Sequence, residues 1–222
     1  MRNVFASGHN LKEWGGPLTP ADTMRLKIRR TLTLVVACVA MAPAFAQRGA
    51  LAVPRNVDQL TDRAADIVRG TVVSAYVEKH PELTNLDTVV VTLRVRETLK
   101  GQARGTFTFR QYIWDVRDRY DAAGYRKGQD LLLLMIVPSR YGLSSPAGMD
   151  QGRFRIERDR SGREVAVNGT GNVRLFDGLA ADAQNEGVAL TSKQAGIVAK
   201  HRKGPVELGE LTAMIREFAR SE

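Results

Sequence analysis

Seven consecutive residues, Leu131-Leu132-Leu133-Leu134-Met135-Ile136-Val137, carry no polar side chain. A strand with no polar face has to be covered on both sides, so this run belongs at the centre of a closed or two-layered β structure. The surrounding residues 64–137 support that reading. They contain ADIVRGTVVSAYVEK, LDTVVVTLRVRETLKG, GTFTFRQY and then GQDLLLLMIV, four strand-like segments in succession.

The chain ahead of this region reads as a leader. Residues 24–46 comprise a basic stretch (Arg25, Lys27, Arg29, Arg30), an apolar stretch and a small-x-small site at Ala44-Phe45-Ala46. These are the three parts of a secretory signal, with cleavage expected between Ala46 and Gln47. The apolar run is shorter than the roughly 20 residues of a membrane span, and Pro43 interrupts its end. Residues 1–23, with Gly15, Gly16, Pro17 and Pro20, show no periodicity and are expected to be an over-called extension upstream of Met24. The alternative for this region is a lipoprotein anchored at Cys38, the only cysteine. The expected location is periplasmic or secreted.

Removal of residues 1–46 leaves 27 Lys and Arg against 22 Asp and Glu, so the mature excess is +5 rather than the +9 of the full chain. The mature chain has no cysteine, which excludes disulfides, thiol nucleophiles and thiolate metal sites together. Stability must then come from an apolar core, which a domain of this length can supply.

Read in order, Asn56 with Gln59 three residues on is a capping box for a short helix whose buried edge is Val57, Leu60 and Ala64. Residues 66–79 form a long strand with Gly70 inside it, the mark of a bulge or sharp bend. Residues 88–98 alternate: Val89, Val91, Leu93 and Val95 point inward, and Thr88, Val90, Thr92, Arg94 and Arg96 outward. Phe107 and Phe109 continue the inner face, with Arg110 opposite, and the interior is expected to include Leu132 and Leu134. A hairpin pairs Phe154 and Ile156 with Val165 and Val167 across Asp159-Arg160-Ser161-Gly162. Residues 177–204 read as a tether. Residues 205–222 read as an amphipathic helix that docks through Leu208, Leu211, Met214, Ile215 and Phe218.

The succession Ala65-Asp66-x-Val68-x-Gly70-x-Val72, then Leu99-Lys100-Gly101, then Gly124, Gly128, Gln129 and Leu131 to Leu134 resembles bacterial exported domains of the netrin-module/TIMP-like group. The resemblance covers about residues 66–137. It implies a five-stranded OB-like barrel. With the hairpin and terminal helix read above, the expected fold is mainly β: an OB-like barrel with a β-hairpin extension over residues 56–176 and a C-terminal amphipathic helix over residues 205–222. In the TIMP-like inhibitors an N-terminal cysteine chelates the protease zinc. The mature chain has no cysteine, so the fold can carry over while that inhibitory mechanism does not.

Catalytic chemistry finds little footing. His80 and His201 stand in no ligand or triad spacing, and Ser144-Ser145-Pro146 lacks the strand–Gly-x-Ser-x-Gly–helix setting of a nucleophile elbow. A zinc site would need both histidines brought together with carboxylates. Asp115, Asp118 and Asp121 are spaced by three, not by the two of a calcium loop, with Arg117 and Arg119 between them. The surface that does suggest binding is aromatic and basic. Tyr112, Trp114, Tyr120 and Tyr125 crowd one loop and Tyr141 lies in the next, while Arg94, Arg96 and Arg110 share the outer face. Some of these tyrosines could plug a barrel end; Trp114 and Tyr120 lead the binding set. The expected function is a non-enzymatic protein-binding or accessory module, with no cofactor and no metal. The alternatives are a barrel that binds an anionic envelope polymer and, more distantly, a hydrolase. Export argues against a nucleic-acid partner, and the mature chain holds no transmembrane segment.

Overall fold

The computed structural model describes residues 53–221. Residues 1–23, the leader 24–46 with Cys38, and the junction between Ala46 and Gln47 lie outside them.

Helix α1 (Val57–Arg63) begins with the capping box read from the sequence. The Asn56 side-chain oxygen accepts from the Gln59 backbone N–H at 3.0 Å, and the Gln59 side chain accepts from the Asn56 N–H at 3.4 Å. Asn56 has a second duty: its Nδ2 donates to Asp182 Oδ2 at 2.6 Å and to the Asp177 carbonyl at 2.9 Å. The helix start is thereby fixed to a segment far along the chain.

The body is one antiparallel sheet of seven strands: β1 (Asp66–Lys79), β2 (Asp87–Lys100), β3 (Thr106–Tyr112), β4 (Asp130–Met135), β5 (Arg153–Arg158), β6 (Glu164–Asn168) and β7 (Val206–Glu207). Their order is β3-β2-β1-β4-β5-β6-β7. The mainly β class stands, but the sheet is not closed into a barrel: β3 and β7 are its edges. Strand β1 shifts register between Arg69 and Gly70 and again between Val72 and Ser74. A Cβ at position 70 would sit 2.6 Å from the Arg94 carbonyl oxygen, so the bend brings two backbones closer than any residue but glycine allows.

Strand β4 is the wall between two cores. Leu131, Leu133 and Met135 join Val68, Val72, Val89, Val91, Leu93 and Phe109 in one buried cluster, roofed by Ile113 and Tyr125 from the loop before β4. Leu132 and Leu134 point the other way, into a cluster with Ile67, Phe154, Leu60 and the buried faces of the helices. The doubly covered strand is therefore present, but with the opposite parity to that expected: Leu132 and Leu134 do not share the interior with Val89, Val91 and Leu93. A strand apolar at every position has no alternation to fix its parity, which here is set by pairing of Leu133 with Val68 and Leu132 with Arg69. Val95 is only half-buried.

The hairpin forms across Asp159–Gly162, where Asp159 Oδ1 accepts from the Ser161 and Arg163 backbone N–H groups. Its pairing is shifted from the expected one: Ile156 faces Ala166 and Phe154 faces Asn168. It extends the sheet beyond β4, since Leu132 pairs with Phe154 of β5.

Residues 177–204, expected to be a tether, hold two helices, α2 (Leu179–Asn185) and α3 (Ser192–Lys200). The first buries Leu179 and Ala183, one turn apart, in the helix-side core. The second starts with a capping box between Thr191 and Gln194. Helix α4 (Leu208–Ser221) buries Leu208, Leu211, Met214, Ile215 and Phe218 in the same core. Each large side chain so buried contributes about 1.5–3 kcal/mol, and Arg216 pairs with Glu97 of β2 at the rim. Among the described residues no helix is long and apolar enough to cross a membrane.

Candidate functional site

One face of β1–β3 is set by alternation and register. Val89, Val91 and Leu93 are turned into one core, so Thr88, Val90, Thr92 and Arg94 lie on the opposite side, where Thr88 and Val90, expected outward, are themselves buried and only Thr92 and Arg94 reach solvent. Tyr76 lies across from Val90, and Val90 lies across from Arg110; one step along, Thr92 lies across from Thr108 and their hydroxyls are 3.0 Å apart. Arg94 pairs with Thr106, and Thr88 with Tyr112. The structure thus brings Arg94, Arg110 and Tyr112 onto one face, as expected, and adds Tyr76, which is half exposed. Tyr76 escaped the sequence reading because the bulge after Val72 reverses the alternation in the middle of β1. Counted back from Glu78 the signal is visible, with Ser74, Tyr76 and Glu78 on one side.

The arginines of this face are mostly committed. Arg110 donates to Glu78 at 2.6 Å and to Thr88 Oγ1 at 2.9 Å. Arg96 lies 3.4 Å from Asp130, which also accepts from Thr71 Oγ1 at 2.5 Å. Arg94 is exposed and makes no ion pair among the described residues.

Beyond β3 the chain carries the aromatic set outward. Trp114 is 65 % exposed and Tyr120 89 %, with Val116 between them at 62 %. Tyr112 meets the Trp114 ring edge-on, with centroids 4.8 Å apart, a geometry worth about 0.5–1.5 kcal/mol beyond the area it covers. The loop is pinned at both ends. Arg119 pairs with Asp87, and Arg117 Nε donates to Asp115 at 2.9 Å. Residues Ala122, Ala123 and Gly124 all have positive φ, a tight reversal that costs alanine about 1–2 kcal/mol per residue. Arg153 braces it by donating to the Ala123 carbonyl at 2.7 Å.

Tyr125 closes the loop and belongs to the core. Its ring is buried against Phe109 and beneath the Arg153 guanidinium, and its hydroxyl donates to Gln111 Oε1 at 2.9 Å. Burial pushes its phenol up to about 12. Tyr125 is thus a plug, while Trp114 and Tyr120 project into solvent.

The remaining candidates resolve into structural roles. His80 is buried. Its Nδ1 accepts from the Glu82 and Leu83 backbone N–H groups at 3.2 and 3.0 Å, which leaves Nε2–H to donate to the Tyr141 carbonyl at 2.9 Å. His201 places Nε2 3.0 Å from the Gly204 carbonyl and its ring edge-on to Phe176. Ser144 Oγ donates to the Ile136 carbonyl. Among the described residues no group of three or more His, Cys, Asp and Glu side chains is placed to hold a metal ion. Comparison of the chain with protein-family models, curated proteins and solved structures finds no match in any of the three.

Proposed function

We propose that this chain is an exported, non-enzymatic protein-binding or accessory module, and that it binds a protein of the cell envelope or the extracellular space through the aromatic face of β1–β3 and the loop that follows. The observation that carries this reading is the exposure of Trp114 and Tyr120 at 65 % and 89 % on a loop whose base is buried and braced. Large exposed aromatic side chains are what binding hot spots are made of, because with two χ angles each they lose little conformational freedom when a partner covers them. Tyr112, Tyr76 and the unpaired Arg94 extend the same surface.

An anionic envelope polymer is the second reading, and the ion pairs argue against it. Arg96 and Arg110 already face Asp130 and Glu78, so the face offers a polyanion little uncompensated charge. We propose further that the module is an OB-like barrel left open, and this rests on residues 143–146. Leu143 makes a parallel bridge to Arg110 of β3 and Pro146 an antiparallel bridge to Met135, which supports reading this loop as the remnant of a closing strand. The test is capture from an envelope extract by the full chain and by Trp114→Ala/Tyr120→Ala. Loss of specific capture with the melting temperature within a few degrees of the parent supports the proposal, and capture that vanishes only with added salt supports the polymer.

A further inference from the structure

The edge of the sheet beside this face has an open stretch of backbone. In the β2–β3 ladder, Val95 N–H donates to the Gly105 carbonyl at 2.9 Å and Ile113 N–H to the Asp87 carbonyl at 3.2 Å. Antiparallel pairing alternates, so Phe107, Phe109 and Gln111 bond to β2, and Thr106, Thr108 and Arg110 turn their backbone groups to the edge. At Arg110 that edge is occupied: its carbonyl accepts from Ser144 N–H at 2.8 Å. At Thr106 the N–H donates to Arg104 at 2.8 Å. Among the described residues this leaves the Thr108 N–H and C=O and the Thr106 carbonyl without a backbone partner. The opposite edge of the sheet is not comparable, since β7 has only two residues and runs directly into α4.

We infer that an extended segment of the partner protein docks here as an added strand alongside Thr106 and Thr108, with apolar and acidic residues in alternation. This rests on the protein-binding reading and specifies its mode. Edge strands left open are templates for strand addition, in which main-chain bonds give affinity and alternate side chains give specificity. The side-chain chemistry follows from what flanks the edge. Phe107, inward-facing and only half-buried, offers an apolar contact on one side of the added strand. On the other side, Arg94 of β2 lies opposite Thr106, and Arg104 is exposed just ahead of β3; neither has an acidic partner among the described residues. Acidic residues in the incoming strand complete that side.

The experiment uses the full chain, isotope-labelled, and two blocked synthetic peptides, one alternating valine with glutamate and one alternating valine with lysine. Amide hydrogen exchange is read at Thr108. The valine–glutamate peptide is expected to slow Thr108 exchange, and the valine–lysine peptide to leave it unchanged. Thr108→Pro removes the donor and leaves the backbone bonds to β2 in place; compared with Thr108→Ala, which loses the same hydroxyl contact to Thr92, it should weaken peptide binding about tenfold, the effect of one lost hydrogen bond. Thr108 exchange unmoved at saturating valine–glutamate peptide, or slowed equally by the lysine peptide, overturns the inference. Neither result bears on the aromatic face, which the Trp114 and Tyr120 variants test separately.

Discussion

Val68 lies directly across from Leu133 while its neighbour Arg69 lies across from Leu132, so consecutive leucines of β4 serve different cores. This one register makes β4 the common wall of the molecule. Leu133→Ala and Leu132→Ala should each cost about 2–5 kcal/mol through lost transfer energy and cavity formation. Their couplings should differ. In double-mutant cycles Leu133→Ala should couple to Val91→Ala by about 0.5–3 kcal/mol and be additive with Met214→Ala, because Val91 shares its cluster and Met214 does not. Urea melts that show the reverse pattern would reinstate the other parity. Arg94→Ala, on the exposed face, should stay within about 0.5 kcal/mol of the parent.

The last helix is a structural element of the helix-side core. Phe218→Ala should lower stability by about 3–5 kcal/mol, since the ring is 1 % exposed between the helices and the sheet. A melting temperature indistinguishable from that of the parent protein would show that α4 is not docked.

Tyr125 gives a pH signature. Its phenol is held neutral up to about 12, chiefly by burial, whereas an unfolded tyrosine ionises near 10. The neutral form is therefore favoured by the fold. That contribution is fully present below about pH 10 and is lost as pH rises toward 12. Tyr125 should ionise late in a spectrophotometric titration, and Tyr125→Phe should remove that late phase. A titration with no late phase, unchanged by Tyr125→Phe, would contradict its buried placement.

The parts legible from the sequence are those with a local chemical signature. The Asn56 and Gln59 cap, the bend at Gly70, the alternation of β2 and the stripe of α4 each follow from spacing alone. What was hidden depends on partners distant in sequence. The parity of β4 is set by β1. Helices α2 and α3 are short and weakly patterned, and the first is held by burial of Leu179 and Ala183 in a core built mostly by other elements. The structural role of His80 is not visible locally, because the Glu82 and Leu83 N–H groups and the Tyr141 carbonyl converge on its ring only in the fold. For the candidate face, Trp114 and Tyr120 were visible as an aromatic cluster, yet only packing separates them from Tyr125, which lies in the same loop and is 3 % exposed.

The central claim is that the exposed aromatic loop binds a protein, and the most direct test compares capture by two proteins of equal stability. The full chain and its Trp114→Ala/Tyr120→Ala variant should be immobilised at equal density, challenged with envelope extract at physiological salt, and the bound proteins quantified by mass spectrometry. Both side chains stand in solvent, so the variant should melt within a few degrees of the parent. The expected result is a defined set of proteins held by the parent and lost, by about tenfold or more, from the variant. Equal capture of the same proteins by both would contradict the assignment of this face as the binding surface.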